Sequence, residues 1–252
     1  MKKLVTYSGG MDSLAIMLEY IDMYGANNIV SLGFNYGQRH FKMENEAATR
    51  FCKDFNIERI VLDVPIGQIG GCSLVDHSIS VTTDMGNQRS TVVPMRNGIF
   101  LMLAAAVAQV KGCNIITHGA CAEDEVAYRD CRFAFFRLIE TAIQAGLTQP
   151  IKGNEDITMG YNDINEEEKS DWSTTLQYPK SKLDIKIETP LIFEKKEQTM
   201  ARILKKHPLY IYKYSYSCYN GGEKSCGKCP ACQERLLAFK NNNVIDPLEY
   251  QS

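Results

Sequence analysis

No apolar run in this chain approaches the ~20 residues that a membrane-spanning helix needs. The opening Met1-Lys2-Lys3 leads into a short apolar run that Ser8-Gly9-Gly10 interrupts, and that run is too short for a signal peptide. The expectation is a cytoplasmic protein with no membrane partner. Excess charge is missing as well. A net charge of −2 over 252 residues does not describe a surface that coats nucleic acid, so no nucleic-acid partner is expected. There is no internal repeat. A hydrophobic share of 44% is ordinary for a globular protein. The length suits one large α/β domain, or such a domain with a small appendage.

The stretch Tyr7-Ser8-Gly9-Gly10-Met11-Asp12-Ser13 follows the apolar run Leu4-Val5-Thr6, which reads as a buried strand. It precedes Leu14 to Tyr20, which reads as a helix. The two glycines therefore sit on a strand-to-helix turn. Free backbone N–H groups and the positive end of the helix dipole can hold an anion there. Gly9 and Gly10 let a phosphate approach without a Cβ in the way. Ser8 and Ser13 can add hydroxyl donors. Asp12 beside a phosphate implies a cation between them, and Mg²⁺ fits. The loop is not a P-loop, which is longer and ends in Lys-Ser/Thr.

Ile29 to Phe34 predicts a second strand, Lys42 to Phe55 a helix and Ile60 to Val64 a third strand. This alternation predicts a parallel sheet with right-handed crossovers, whose ligands sit beyond the carboxyl ends of the strands. Residues 65–91 read as a long loop over the site. A helix over 98–110, apolar all round and so buried, ends at Gly112. Asn97 can cap it, with Arg96 at its mouth. A buried Arg96 requires a partner, either a ligand phosphate or carboxylate or a protein carboxylate. Asn114 to Thr117 is a fourth strand and residues 120–130 an acidic loop. A helix opens at Asp130-Cys131-Arg132 and runs to about 145. Residues 149–185, rich in Asn, Asp, Glu, Lys and Ser around the single Trp172, read as an insertion at about 150–185. Ile185 to Glu188 is a further strand, and a helix follows from about Lys195 until His207-Pro208 stops it.

Nine cysteines are present. Cys218, Cys226, Cys229 and Cys232 fall within fifteen residues. In a reducing compartment this clustering argues for metal rather than disulfides. Four thiolates point to tetrahedral structural Zn²⁺, with a [4Fe–4S] cluster as the alternative.

Ser-Gly-Gly-x-Asp-Ser resembles the pyrophosphate loop of the N-type ATP pyrophosphatases, which adenylate a carbonyl or carboxylate oxygen. Together with Ser-Cys-Tyr-Asn-Gly-Gly-Glu-Lys-x-Cys-Gly-Lys-Cys-x-x-Cys near the C-terminus, it resembles the 7-cyano-7-deazaguanine synthase (QueC) family. Tyr36-Gly37-Gln38-Arg39-His40, Ser73-Leu74, Val93-Pro94-x-Arg96-Asn97, Asp130-Cys131-Arg132 and Thr189-Pro190-Leu191-Ile192 with Lys196 match its motifs. The resemblance implies a Rossmann-like (HUP-type) α/β domain over 1–208 with helices on both faces. A Cys₄ zinc knuckle and helix over 209–252 would follow. It implies a homodimer using ATP, Mg²⁺ and Zn²⁺, with 7-carboxy-7-deazaguanine and ammonia as substrates. AMP and pyrophosphate would be the by-products. Residues Tyr7, Ser8, Gly9, Gly10, Met11, Asp12, Ser13 and Leu14 would hold ATP. Asp12, Lys196 and Arg96 would be catalytic. Tyr36, Gln38, Arg39, Asn97, Tyr128, Asp130, Cys131 and Arg132 would meet the substrate. For Cys131, a nucleophilic role and a packing role are both open.

The departures from the family pattern concentrate on the substrate side. Met95 stands where Gly is usual, and Cys121, Glu125, Ala127, Arg129 and Phe133-Ala134 replace other residues. Tyr216 stands for a Trp. These changes and the insertion raise an alternative: a QueC-like, defence-associated enzyme that joins the activated deazaguanine to an amine of a partner protein.

Overall fold

A computed structural model describes residues 1–81, 90–147 and 184–251. The expected insertion at 150–185, Trp172 included, lies outside the described residues apart from 184 and 185, as does part of the expected loop at 65–91. In chain order the elements are β1 (Lys2–Thr6), α1 (Met11–Tyr24), β2 (Ile29–Asn35), α2 (Phe41–Asp54), β3 (Glu58–Asp63), α3 (Arg96–Lys111) and β4 (Cys113–Thr117). Then come α4 (Ala122–Ala127), α5 (Phe133–Gly146), β5 (Lys186–Glu188), α6 (Lys196–Leu204) and α7 (Pro230–Asn241).

The five strands pair in the order β3-β2-β1-β4-β5, all parallel. The central strand β1 explains its own apolar run. Leu4 packs with α3 and α5 on one face, and Val5 with α1 on the other, both fully buried. Each contributes about 1.5–3 kcal/mol by leaving water. A strand buried on both faces reads as continuous rather than alternating. The chain winds outward from β1 to β3, then crosses back to β4 beside β1. That reversal opens a crevice at the carboxyl ends of β1 and β4.

Three expectations need correction. Asn97 is not the cap of α3. Met95, left-handed at φ 56, holds that place, and Arg96 is already helical. The helix is not buried all round either, because Met102 and Val110 are 43% and 84% exposed. Its small residues Ala104, Ala105 and Ala108 make the packed face. Third, the acidic stretch after β4 contains a helix, α4. Asp124 accepts the Cys121 N–H at 3.2 Å, satisfying an N-terminal donor that a loop reading leaves open.

The C-terminal segment is continuous with the main core. Ile211, Tyr212, Ala238 and Phe239 belong to the same buried cluster as α1. No helix among the described residues is long and apolar enough to cross a membrane.

Candidate active site

A cavity of about 250 Å³ opens where β1, β2 and β4 end. Its floor is the turn from β1 into α1. Gly9 has φ +104, and a Cβ there would collide with the carbonyl oxygen of Glu44. Only glycine fits. The Ser8 hydroxyl accepts the Gly10 N–H at 3.0 Å and lies 3.1 Å from the Ser13 hydroxyl. No side chain caps α1. Its first N–H groups therefore open toward the cavity that Met11, Asp12 and Ser13 line, an arrangement that could seat an anion. Tyr7 and Leu14 are buried behind it.

Lys196, first residue of α6, faces this turn. Its ammonium lies 3.2 Å from Asp12 Oδ2 and 3.2 Å from Glu234 Oε2. Burial opposes the charge, but Asp12, Asp124 and Glu234 outweigh it and hold Lys196 protonated. Asp12 Oδ1 is buried with no hydrogen-bond partner among the described residues. That free oxygen next to an anion seat suits a divalent cation.

Arg96, at the start of α3, lines the same cavity. Its Nε donates to Asn97 Oδ1 at 3.2 Å, and its guanidinium stands 6.0 Å from the Tyr128 ring centroid. No ion pair engages it among the described residues. Tyr128 shares a hydrogen bond of 2.9 Å with Thr91 Oγ1. Asn97 Nδ2 donates to Cys131 Sγ at 3.1 Å. Burial pushes the Cys131 thiol up to about 12, the reverse of an activated nucleophile.

Of the residues expected at the substrate, Tyr36, Gln38, Asn97, Tyr128 and Cys131 line the cavity. Gln38 spends both ends of its amide on the loop, accepting from Tyr36 N–H and donating to Phe34 O. Arg39, Asp130 and Arg132 stand outside the lining. Arg39 donates to the carbonyls of Asp76 and Ile79 at 2.7 Å. Asp130 Oδ2 accepts the Asn97 N–H at 3.1 Å and so satisfies the start of α3. Arg132 is exposed at the start of α5.

Sequence reasoning missed His40, Glu44, His118, Asp124 and Glu234, all on the cavity wall. Burial pushes His118 down to about 4, and its Nδ1 accepts the Ala120 N–H at 3.1 Å. Burial pushes Glu44 up to about 8, with Arg96 and Arg59 pulling the other way. Glu44 lies one helical turn after His40, a spacing that was available to find it.

The sulfurs of Cys218, Cys226, Cys229 and Cys232 all lie within 4.8 Å of one another. Cys226 N–H points at Cys218 Sγ, and the N–H groups of Lys228 and Cys229 point at Cys226 Sγ, at 3.3–3.4 Å. Four converging, N–H-supported thiols could hold a metal ion. The same segment reaches the anion seat, because Tyr216 N–H donates to Gly9 O at 2.8 Å.

A doubly wound parallel sheet with a glycine-built turn at its reversal defines a Rossmann-like α/β protein. The family described as queuosine biosynthesis protein QueC matches residues 2–243, and the chain belongs to that family. It is 32% identical to the 7-cyano-7-deazaguanine synthase of Hahella chejuensis, over 100% of this chain and 94% of that protein. It is 34% identical to the synthase of Nitratiruptor sp., over 100% of both. The synthase of Campylobacter fetus is also 34% identical, over 100% of this chain and 98% of that protein. Among solved structures, the U34-tRNA thiolase NcsA from Methanococcus maripaludis with its [4Fe-4S] cluster aligns at 14% identity and a TM-score of 0.42. That alignment covers 100% of this chain and 74% of that one, and at this score it carries no argument.

Proposed function

We propose that this chain is a cytoplasmic, homodimeric ATP-dependent carbon–nitrogen ligase. It adenylates 7-carboxy-7-deazaguanine, amidates it with ammonia and dehydrates the amide to 7-cyano-7-deazaguanine. The observation that carries this reading is the pairing of Asp12 with Lys196 beside the Gly9–Gly10 turn, in one cavity with Arg96.

A carboxylate is a poor electrophile, so its oxygen must become a leaving group. The Ser8–Ser13 turn holds the departing pyrophosphate by backbone N–H groups and hydroxyls. Lys196 and Arg96, both lining the cavity, neutralise the charge that grows on the α-phosphoryl group. Asp12 would hold Mg²⁺, which would supply positive charge beside the phosphates. Arg96, Asn97, Tyr36, Tyr128 and Cys131 shape the deazaguanine side. Gln38, Arg39 and Asp130 act at one remove, through the loops and the helix end they brace. A second adenylation, on the amide oxygen, sets up dehydration. The four cysteines would hold Zn²⁺ and pin the chain that carries Tyr216 against Gly9.

The test is product analysis by mass spectrometry after incubation with Mg-ATP, the carboxylate and ammonia. A free nitrile with AMP and pyrophosphate is expected, and none from D12A. Full turnover by D12A would overturn the assignment of the loop. A mass gain on a partner protein, without a small-molecule product, would point to the protein-amine acceptor instead.

A further inference from the structure

Amidation and dehydration both release protons at nitrogen, and the residues so far assigned do not take them. In the first round the ammonia lone pair forms the C–N bond. The C–O bond to AMP breaks with its electron pair, and one N–H proton must leave. In the second round the amide oxygen displaces pyrophosphate from ATP. AMP then departs as C≡N forms, and the two remaining N–H protons must leave. A base inside the cavity is required at each stage.

Most acid–base groups of the cavity are already engaged. Asp12 and Glu234 flank Lys196. Asp124 accepts from Cys121. His118 Nδ1 accepts from Ala120. Glu44 is different. It projects from the first turn of α2 into the cavity, its side chain 14% exposed. Its Oε1 lies 3.6 Å from where a Gly10 Cβ would stand, so the carboxyl sits over the edge of the anion seat. Its carboxyl accepts no hydrogen bond among the described residues, although the Glu44 N–H donates to His40 O at 3.1 Å. His40 Nε2 lies 3.6 Å from Glu44 Oε2, and His40 Nδ1 is buried with no partner within the usual hydrogen-bond distance among the described residues.

We propose that Glu44 is the general base of the nitrogen chemistry, taking the N–H protons in both rounds, with His40 positioned behind it. This rests on the ligase reading above. The groups facing Glu44 are His40 beside it on the chain, Tyr7 after β1, Tyr36 after β2, Arg59 on β3 and Arg96 on α3. Burial holds its carboxyl near 8 while Arg96 and Arg59 pull it down; that value is close to the working pH, where a base is most effective.

The experiment separates the half-reactions. Carboxylate-dependent ATP–pyrophosphate exchange reports adenylation and needs no base. Amide and nitrile formation, followed at constant free ammonia, report the nitrogen steps. In E44Q the expected result is retained exchange with amide formation lower by ~10²–10⁴. The wild-type rise in amidation through pH 8 should vanish, and formate should partly restore the rate in E44A. Should E44Q fail to fold, E44D carries the test, with the same split in smaller measure. The proposal is overturned by wild-type amidation in E44Q, or by equal loss of exchange and amidation in the folded variant. Absence of exchange in the wild type would instead refute the ligase reading, and so is told apart.

Discussion

Lys196 Nζ stands 3.2 Å from Asp12 Oδ2, tying the first turn of α6 to the first turn of α1 across the anion seat. Glu234 of α7 meets the same ammonium at 3.2 Å. The cation thus serves two carboxylates, and the two kinds of variant should differ. K196M strands both acids in a part-buried site and should lower turnover by ~10²–10³, since a preorganised charge is lost from the transition state. It should also lower the melting temperature. E234Q leaves the Asp12 pair intact and should cost far less on both counts. Equal melting temperatures for the two variants would contradict this reading.

Gly9 and Gly10 are adjacent but not equivalent. G9A drives a Cβ into the Glu44 carbonyl at a φ of +104, and ATP–pyrophosphate exchange should be lost. G10A places its Cβ 3.2 Å from the Ser8 hydroxyl, which can swing aside. Exchange should fall only several-fold. G25A, at the end of α1 with open space around it, should bind ATP as the wild type does. Nucleotide titration of the three variants checks the order.

The seat was legible because it is local. Ser8 to Ser13 occupy consecutive positions between a strand and a helix, and the crossover order follows from strand and helix periods. The Cys₄ set was legible for the same reason. His118 and Glu234 were not, because each joins the cavity through tertiary packing and carries no motif of its own; for Glu44 the one signal was its spacing from His40. The three corrections have separate causes. Met95 takes a left-handed turn that a non-glycine residue seldom adopts, which moved the start of α3. Asp130 went to the helix end that this created, rather than to the cavity. The apolar outer side of α3 belongs to the helix surface, and periodicity alone could not say so. Asp124 closes a helix start through a cysteine N-cap, which no sequence rule favours.

Arg235 is 1% exposed and clamps Asp246 through two hydrogen bonds of 2.6 and 2.9 Å. Another of its nitrogens donates to Ser215 Oγ at 2.8 Å, beside Tyr216. Breaking a buried pair leaves an uncompensated charge and costs about 3–5 kcal/mol. D246A should therefore be strongly destabilised in urea melts, although it lies far from the loop in sequence. A change of under about 1 kcal/mol would show that the clamp is dispensable.

Chelation should act on the nucleotide seat as well as on the C-terminal segment. Removing metal from the four cysteines frees the chain that bears Tyr216, whose N–H holds Gly9 O. Metal analysis should give one zinc per chain in the wild type and little in C229S. The metal-free protein should melt earlier and bind ATP more weakly. Unchanged ATP affinity in C229S would uncouple the two sites.

His118 should shape the acid side of stability. Its folded value is depressed to about 4 by burial, against ~6.5 unfolded. A depressed value means the neutral form is favoured by folding. That stability is present above pH ~6.5 and is lost as pH falls toward 4. H118N keeps an acceptor for the Ala120 N–H and cannot titrate. Its stability should fall less steeply over that window, measured by urea melts at several pH values. An unchanged slope would contradict the assignment.

The most direct test follows the nitrogen. The wild-type protein is incubated with Mg-ATP, 7-carboxy-7-deazaguanine and isotopically labelled ammonia, and both small molecules and protein are weighed by mass spectrometry. The expected result is labelled 7-cyano-7-deazaguanine, with labelled amide appearing before it and AMP and pyrophosphate accumulating. Failure to form labelled amide or nitrile by protein that carries its metal and binds ATP would contradict the ligase assignment.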